Sequence, residues 1–452
     1  MSDEENSTFP PGDQGPKPLG QLVTFTKNEP LFTLGQFRKF GPVFSTTLAN
    51  RQVCFLAGTE GLEIFYDEAY VLRAPVAPEN LMSTTWGYDG AHGLPPLDGE
   101  PHRRRKGNFL RTTSRDQVDA YLGVIGERLR AVFADWRERE RLSVAQEADR
   151  AILSLFAEVF FGAPLEGREG DRVVKAVQEN FQVFNGGLRL DLPFTRLGRA
   201  QRAADRVLYP YFRQALESHR AAPERFDDAV ATYLAGEDVA GFSDGEILTD
   251  FHQFFIGSYG VTTRLPGLIY DLARHPEVIT RLREEIRAHR DAFDAPPTAA
   301  GLRRFPYAHQ VVRETLRLWP AVPLVLGQAV RDISLGGYTV PQGSTVFGCL
   351  YATCHDGRVY AQPDDFDPDR FSPERNEGGD NPELAGVETV FGFGDNTRTH
   401  KCAGLWVALA TLELIVLHLA HNWNWRLADP DVEFDLGRLP VAFDDGLVVE
   451  RA

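Results

Sequence analysis

The sequence predicts an α-rich mixed fold, mainly α with small β-sheets (α+β). Three observations lead there. Apolar residues recur at three-to-four spacing through the middle of the chain, the mark of helices with one buried face. Strand-like runs are short and few. Apolar residues are 43% and charged residues 25% of 452 positions, ordinary globular proportions that exclude disordered and collagen-like chains.

The segment Met1 to Pro18, rich in Asp, Glu, Ser, Gly and Pro, is expected to be a flexible tail, residues 1–18. Residues 19–452 are expected to form a single domain, because no Gly/Ser or Pro-rich linker and no internal repeat divides them. Val43 to Leu48 and Val53 to Ala57 flank a turn-like Ala49-Asn50-Arg51-Gln52 and predict a hairpin. Helical spacing follows in Gln117–Arg139, Ala145–Phe161, Val173–Phe184 and Arg199–Arg220. Asp244 to His275 continues it, interrupted at Gly257, Gly260 and Pro266. Ile333–Leu335, Tyr338–Val340 and Ser344–Phe347 predict short strands around Gly336-Gly337 and Pro341-Gln342-Gly343. A last long helix is expected from Ala403 to Asn422.

Lys plus Arg is 48 and Asp plus Glu is 64, a formal charge of −16. Such a chain is repelled by phosphate backbones, so no nucleic-acid partner is expected. Four cysteines are too few for a disulfide scaffold. No signal-peptide pattern opens the chain, and no run reaches the roughly 18 apolar residues of a membrane span. A cytoplasmic location without a membrane anchor is therefore expected. Cys349 and Cys354 beside His355 lack the second pair that a metal cluster needs.

The chemistry concentrates in Phe391-Gly392-Phe393-Gly394-Asp395-Asn396-Thr397-Arg398-Thr399-His400-Lys401-Cys402-Ala403-Gly404. A glycine-rich loop delivers one cysteine to the start of an apolar helix, where the helix N-terminus, His400 and Lys401 would favour the thiolate. Ala403 and Gly404 are small enough for a flat macrocycle to lie against the helix. Taken alone, a buried structural cysteine fits the segment equally. Upstream, Glu314-Thr315-Leu316-Arg317 places a carboxylate and a guanidinium on one helix face, and Arg370 follows in an Asp/Pro-rich stretch. Buried, such a pair needs further partners to offset desolvation.

In this order the motifs resemble those of the cytochrome P450 family, the haem-thiolate monooxygenases, from about residue 20 onward. The resemblance implies the P450 fold and heme b (iron protoporphyrin IX). It implies Cys402 as the metal ligand, with Phe391, Gly394, His400, Ala403 and Gly404 around the cofactor. Glu314, Arg317 and Arg370 would be a structural triad behind it. Asp98 to Lys106 resembles the start of the family's haem-facing helix, where His102 and Lys106, four apart on one face, would hold propionates. Gly257 to Thr263 resembles the oxygen-binding stretch of the distal helix, with Thr262 in the proton-delivery position and Thr263 beside it.

Three departures qualify the resemblance. Val261 stands where the family usually has an acid. Phe391 to Cys402 is longer than the common loop and looks more like that of the fatty-acid peroxygenase branch, whose distal helix carries an Arg-Pro pair; here Arg264 and Pro266 are not adjacent. On a regular helix Arg264 lies roughly 200° round from Thr262 and faces away, unless Gly260 or Pro266 rewinds the helix. Gly327 stands where the family often has a propionate-binding arginine.

Phenylalanine is abundant, 31 of 452, and apolar segments at Trp86–Leu94, Phe181–Leu197 and Val322–Leu326, with Phe255, Tyr259 and Val261, imply a lipophilic small-molecule substrate. Gly186-Gly187 and Pro193 suggest a lid. No dinucleotide fingerprint or iron–sulfur pattern is present, so the resemblance implies a separate ferredoxin and ferredoxin reductase, docking on Arg103 to Lys106, Arg398 and Lys401. The expected activity is O2-dependent oxidation of a lipophilic molecule. The alternatives are a peroxide-dependent fatty-acid peroxygenase or decarboxylase, and a non-catalytic haem-binding sensor.

Overall fold

A computed structural model describes the chain except residues 1–7, 77–86, 89–90, 185–191, 193, 379–386, 439–440 and 444–445. The expectations at Trp86, Gly186-Gly187 and Pro193 lie outside the described residues.

A mixed sheet occupies one side. Strands β1 (Val43–Leu48) and β2 (Arg51–Leu56) form the expected hairpin, with Val43 opposite Leu56. Strand β3 (Val71–Leu72) lies at the far edge and pairs antiparallel with β4 (Leu324–Ala329). Strand β5 (Thr345–Cys349) joins β4 to β2, giving the order β1-β2-β5-β4-β3. Phe44, Phe55 and Phe347 stack across it with centroids 4.8 and 5.0 Å apart, pinning the register through one buried aromatic column.

Residues 8–18 were expected to trail from this sheet, and they do not. The Ser45 N–H donates to the Pro11 carbonyl at 2.7 Å, the Ser45 hydroxyl donates to Pro10 at 2.8 Å, and Lys39 pairs with Asp13 at 2.7 Å. A Cβ on Gly12 would overlap the Ser45 carbonyl. The glycine and prolines that read as a tail are what let an extended segment lie flat along β1.

The helices follow the predicted periodicity with shifted ends. Helix α1 (Gly58–Tyr66) sits under the sheet. Helix α2 (Gly99–Thr113) leads into α3 (Arg115–Glu138) and α4 (Val144–Phe161). Helix α5 (Gly167–Phe181) starts earlier than its apolar pattern, because its first turn is polar. Ser243 and Glu246 form a reciprocal cap at the start of α6 (Asp244–Thr262), which packs against α4. It stops at Thr262, and α7 (Leu265–Arg274) restarts it. Pro266 is the reason: its ring would strike the Thr262 carbonyl, and it has no N–H to donate there. Helix α8 (Pro306–Leu318) carries the Glu-x-x-Arg, and α9 (Leu405–Asn422) follows the cysteine loop.

Among the described residues α9 is the one helix long and apolar enough to cross a membrane, and 83% of it is buried. It packs against α3 and α8, so its apolarity serves the core.

Candidate haem site

Behind the cysteine loop, Glu314, Arg317 and Arg370 meet with no exposed side-chain surface. Arg317 donates to both Glu314 oxygens at 2.8 and 2.7 Å, and Arg370 Nε donates to the same carboxylate at 3.0 Å. The remaining guanidinium protons go to the carbonyls of Cys354, Pro363, Asp365 and Ala361, and to Glu377 at 2.8 Å. These are the extra partners that a buried charge requires.

The loop rises from that cluster on two left-handed glycines, Gly392 (φ 98°) and Gly394 (φ 84°). A Cβ on Gly392 would come within 2.6 Å of the Tyr66 ring. The Cys402 N–H donates to the Phe391 carbonyl at 2.7 Å, and Thr113 of α2 donates to the Ala403 carbonyl at 2.8 Å. Gly404 ends the loop directly before α9, where a Cβ would stand 4.0 Å from the Cys402 sulfur.

Cys402 is exposed, yet burial is the largest influence on its thiol and pushes it up. The Gly404 N–H, Lys106 and Arg264 pull the thiol back down. His400 and Lys401, expected to do this, are engaged elsewhere. His400 Nε2 lies 3.3 Å from Asp98, and burial holds its pKa at about 4, so it is neutral. Lys401 is buried beneath the loop.

His102 and His400 come together, stacked at 4.0 Å between centroids. His102 is buried, its pKa is lowered to about 3 by burial, and its Nδ1 has no hydrogen-bond partner. The Lys106 ammonium donates to the Thr399 and Lys401 carbonyls and braces the loop. Arg105, next to it, is buried in an ion pair with Asp250, leaving Arg103 and Arg104 as the exposed cations of that run.

At the end of α6, the Thr262 hydroxyl is buried without a partner, whereas Thr263 donates its hydroxyl to the Gly260 carbonyl at 3.0 Å and is not available in the same way. Arg264 does not face away. The break after Thr262 turns its guanidinium inward, where it donates to the Gly260 carbonyl and lies 5.9 Å from the Phe391 ring. Phe255 and Tyr259 pack among helices instead: Phe255 against Phe161 and Phe212, Tyr259 against Phe181 and Asp149. Two residues escaped the sequence reading, Arg73 and Tyr66, whose side chains bond each other beside the loop. No motif marks either.

A cysteine directly before an apolar helix, on a loop braced by Lys106 and Thr113, with a buried unpartnered hydroxyl on α6, fits the haem-thiolate class. The cytochrome P450 family model matches residues 10–438, and the chain belongs to that family, which binds heme b through a cysteine thiolate. It is similar to the putative cytochrome P450 120 of Synechocystis sp., 25% identical over 93% of this chain and 91% of that relative. It is also similar to cytochrome P450 26C1 of Mus musculus, 26% identical over 93% and 84%. A retinoic acid-bound cyanobacterial CYP120A1 superposes with a TM-score of 0.83 at 22% identity, covering 99% of this chain and all of that one. A variant of cytochrome P450 OleT in complex with arachidonic acid gives 0.79 at 20% identity, covering 98% of each. These likenesses bear out the predicted fold class, and the chain is an oxidoreductase of the P450 type.

Proposed function

We propose that the chain oxidises a lipophilic small molecule with O2, taking electrons from a separate ferredoxin and ferredoxin reductase in the cytoplasm, with Cys402 as the iron ligand. The observation that carries this reading is the exposed Cys402 on a loop held by Lys106 and Thr113. Haem bound there supplies the activation of the oxidant. Phe391, Gly394, Ala403 and Gly404 would hold it together with His102 and His400. The unpartnered Thr262 hydroxyl holds and passes a proton, a duty that Val261 has no group to share. The exposed Arg103, Arg104 and Arg398 form the docking face for an acidic donor; Lys401, being buried, has no part in it.

Arg264 favours a second reading. A guanidinium turned towards the cysteine is placed to receive the carboxylate of a lipophilic acid, and the solved relatives named above hold retinoic and arachidonic acids. That reading makes the chain a peroxide-driven peroxygenase or decarboxylase.

The test has two arms. Cys402→Ser should abolish the thiolate-type ferrous carbon-monoxide spectrum, and survival of that spectrum would overturn the haem-thiolate assignment. Turnover of a lipophilic substrate panel with donor and O2 should exceed turnover with peroxide alone; the reverse establishes the second reading, and product in neither arm leaves only a haem-binding sensor.

A further inference from the structure

Gly327 replaces the arginine that the family often places on the strand after the Glu-x-x-Arg helix, and β4 has no room for a side chain there. A Cβ would come within 2.4 Å of Val71 Cγ1 and 3.0 Å of the Leu72 carbonyl oxygen. The register shows what stands opposite. Val71 pairs with Ala329 and Leu72 with Gln328, so the next residue, Arg73, falls across from Gly327. We propose that Arg73 holds a haem propionate, supplying from the end of β3 the guanidinium that β4 lacks. This rests on the haem reading above.

Its surroundings support the assignment. The guanidinium lies 4.5 Å from the Phe65 ring centroid and 5.2 Å from that of Tyr66, two apolar walls that keep it from bulk water. Arg73 is only partly exposed, and its side chain bonds that of Tyr66. Asp98 accepts the Arg73 backbone N–H at 2.9 Å and lies 3.3 Å from His400 Nε2, so one carboxylate fixes both residues. Arg73 is also close enough for its charge to act on His400 and His102. Among the described residues, no carboxylate lies within ion-pair distance of the guanidinium.

Asp98 and Glu68 offset the burial of this cation only at a distance, so part of its desolvation cost remains. Two carboxylates arriving on a cofactor remove that cost. Of the neighbouring cations, Lys106 is engaged with two backbone carbonyls. Glu68 and Asp98, nearby, would repel a propionate unless a fixed cation stood between.

The measurement is haem transfer from holoprotein to apomyoglobin, for protohaem and for haem reconstituted with methyl-esterified propionates. Arg73→Gln should release protohaem about tenfold faster or more, the equivalent of one charge-assisted hydrogen bond, and Arg73→Lys less. With the diester, wild type itself should be fast and Arg73→Gln should add almost nothing. Unchanged release of protohaem overturns the proposal. So does an acceleration that persists with the diester, because it would show that Arg73 only supports the fold. Should Arg73→Gln fail to fold, Arg73→Lys yields the same comparison. Loss of the parent reading looks different: wild type would then hold no haem at all.

Discussion

Arg264 shows what one side chain decides. Removing its guanidinium takes a cation from beside Cys402 and leaves the interior wall apolar. If it receives a substrate carboxylate, Arg264→Leu should weaken the binding of a long-chain acid about tenfold to a hundredfold, the worth of a charge-assisted hydrogen bond. The methyl ester of the same acid should bind as before. Spectral titration of both ligands reads this, and equal losses for acid and ester would assign Arg264 to packing alone. The sequence contained Arg264, but its direction was not legible: a regular helix turns it away, and only the chain break forced by Pro266 brings it in. Arg73 was less legible still, because its meaning depends on which strand pairs with β4. Cys402 and the Glu-x-x-Arg pair were plain, since their spacing is local.

At the scale of elements, α8 and residues 367–370 are joined through Glu314. Its two oxygens take two guanidinium groups and the Asp367 N–H at 2.9 Å, so the carboxylate is what allows both arginines to be buried together. Glu314→Gln leaves Arg317 without a counter-ion and Arg370 with Glu377 alone, and we expect a loss of about 3–5 kcal/mol. Urea unfolding of the purified variant measures it; a loss below about 1 kcal/mol would mean that the backbone carbonyls, not Glu314, hold the arginines. The sequence placed most helices within a few residues, because apolar periodicity reports the face that is buried. It misjudged residues 8–18, since composition cannot distinguish a loose polar segment from one laid along a strand.

For the whole molecule, burial sets the pH range of stability. His252, His355 and His418 are held neutral, with pKa values of about 3, 4 and 4 against 6.5 when unfolded. Below pH 6.5 the unfolded chain takes protons that the native state refuses, so stability falls as pH drops towards 4. Asp271 acts oppositely. Burial raises its carboxyl to about 8 from 3.8, and Trp319 donates to it at 2.6 Å. The native state keeps a proton that the unfolded chain has lost, so stability falls as pH rises towards 8, by up to about 1.4 kcal/mol per unit. The urea midpoint should therefore peak near pH 6.5, and Asp271→Asn should flatten the decline between pH 6.5 and 8. A decline unchanged in that variant would trace the loss to another group.

Lys106 leaves one more consequence. Its ammonium clasps two carbonyls of the loop that ends in Cys402, while Arg103 and Arg104 sit exposed on the same helix. One ammonium thus ties the helix that bears those arginines to the backbone immediately before the sulfur.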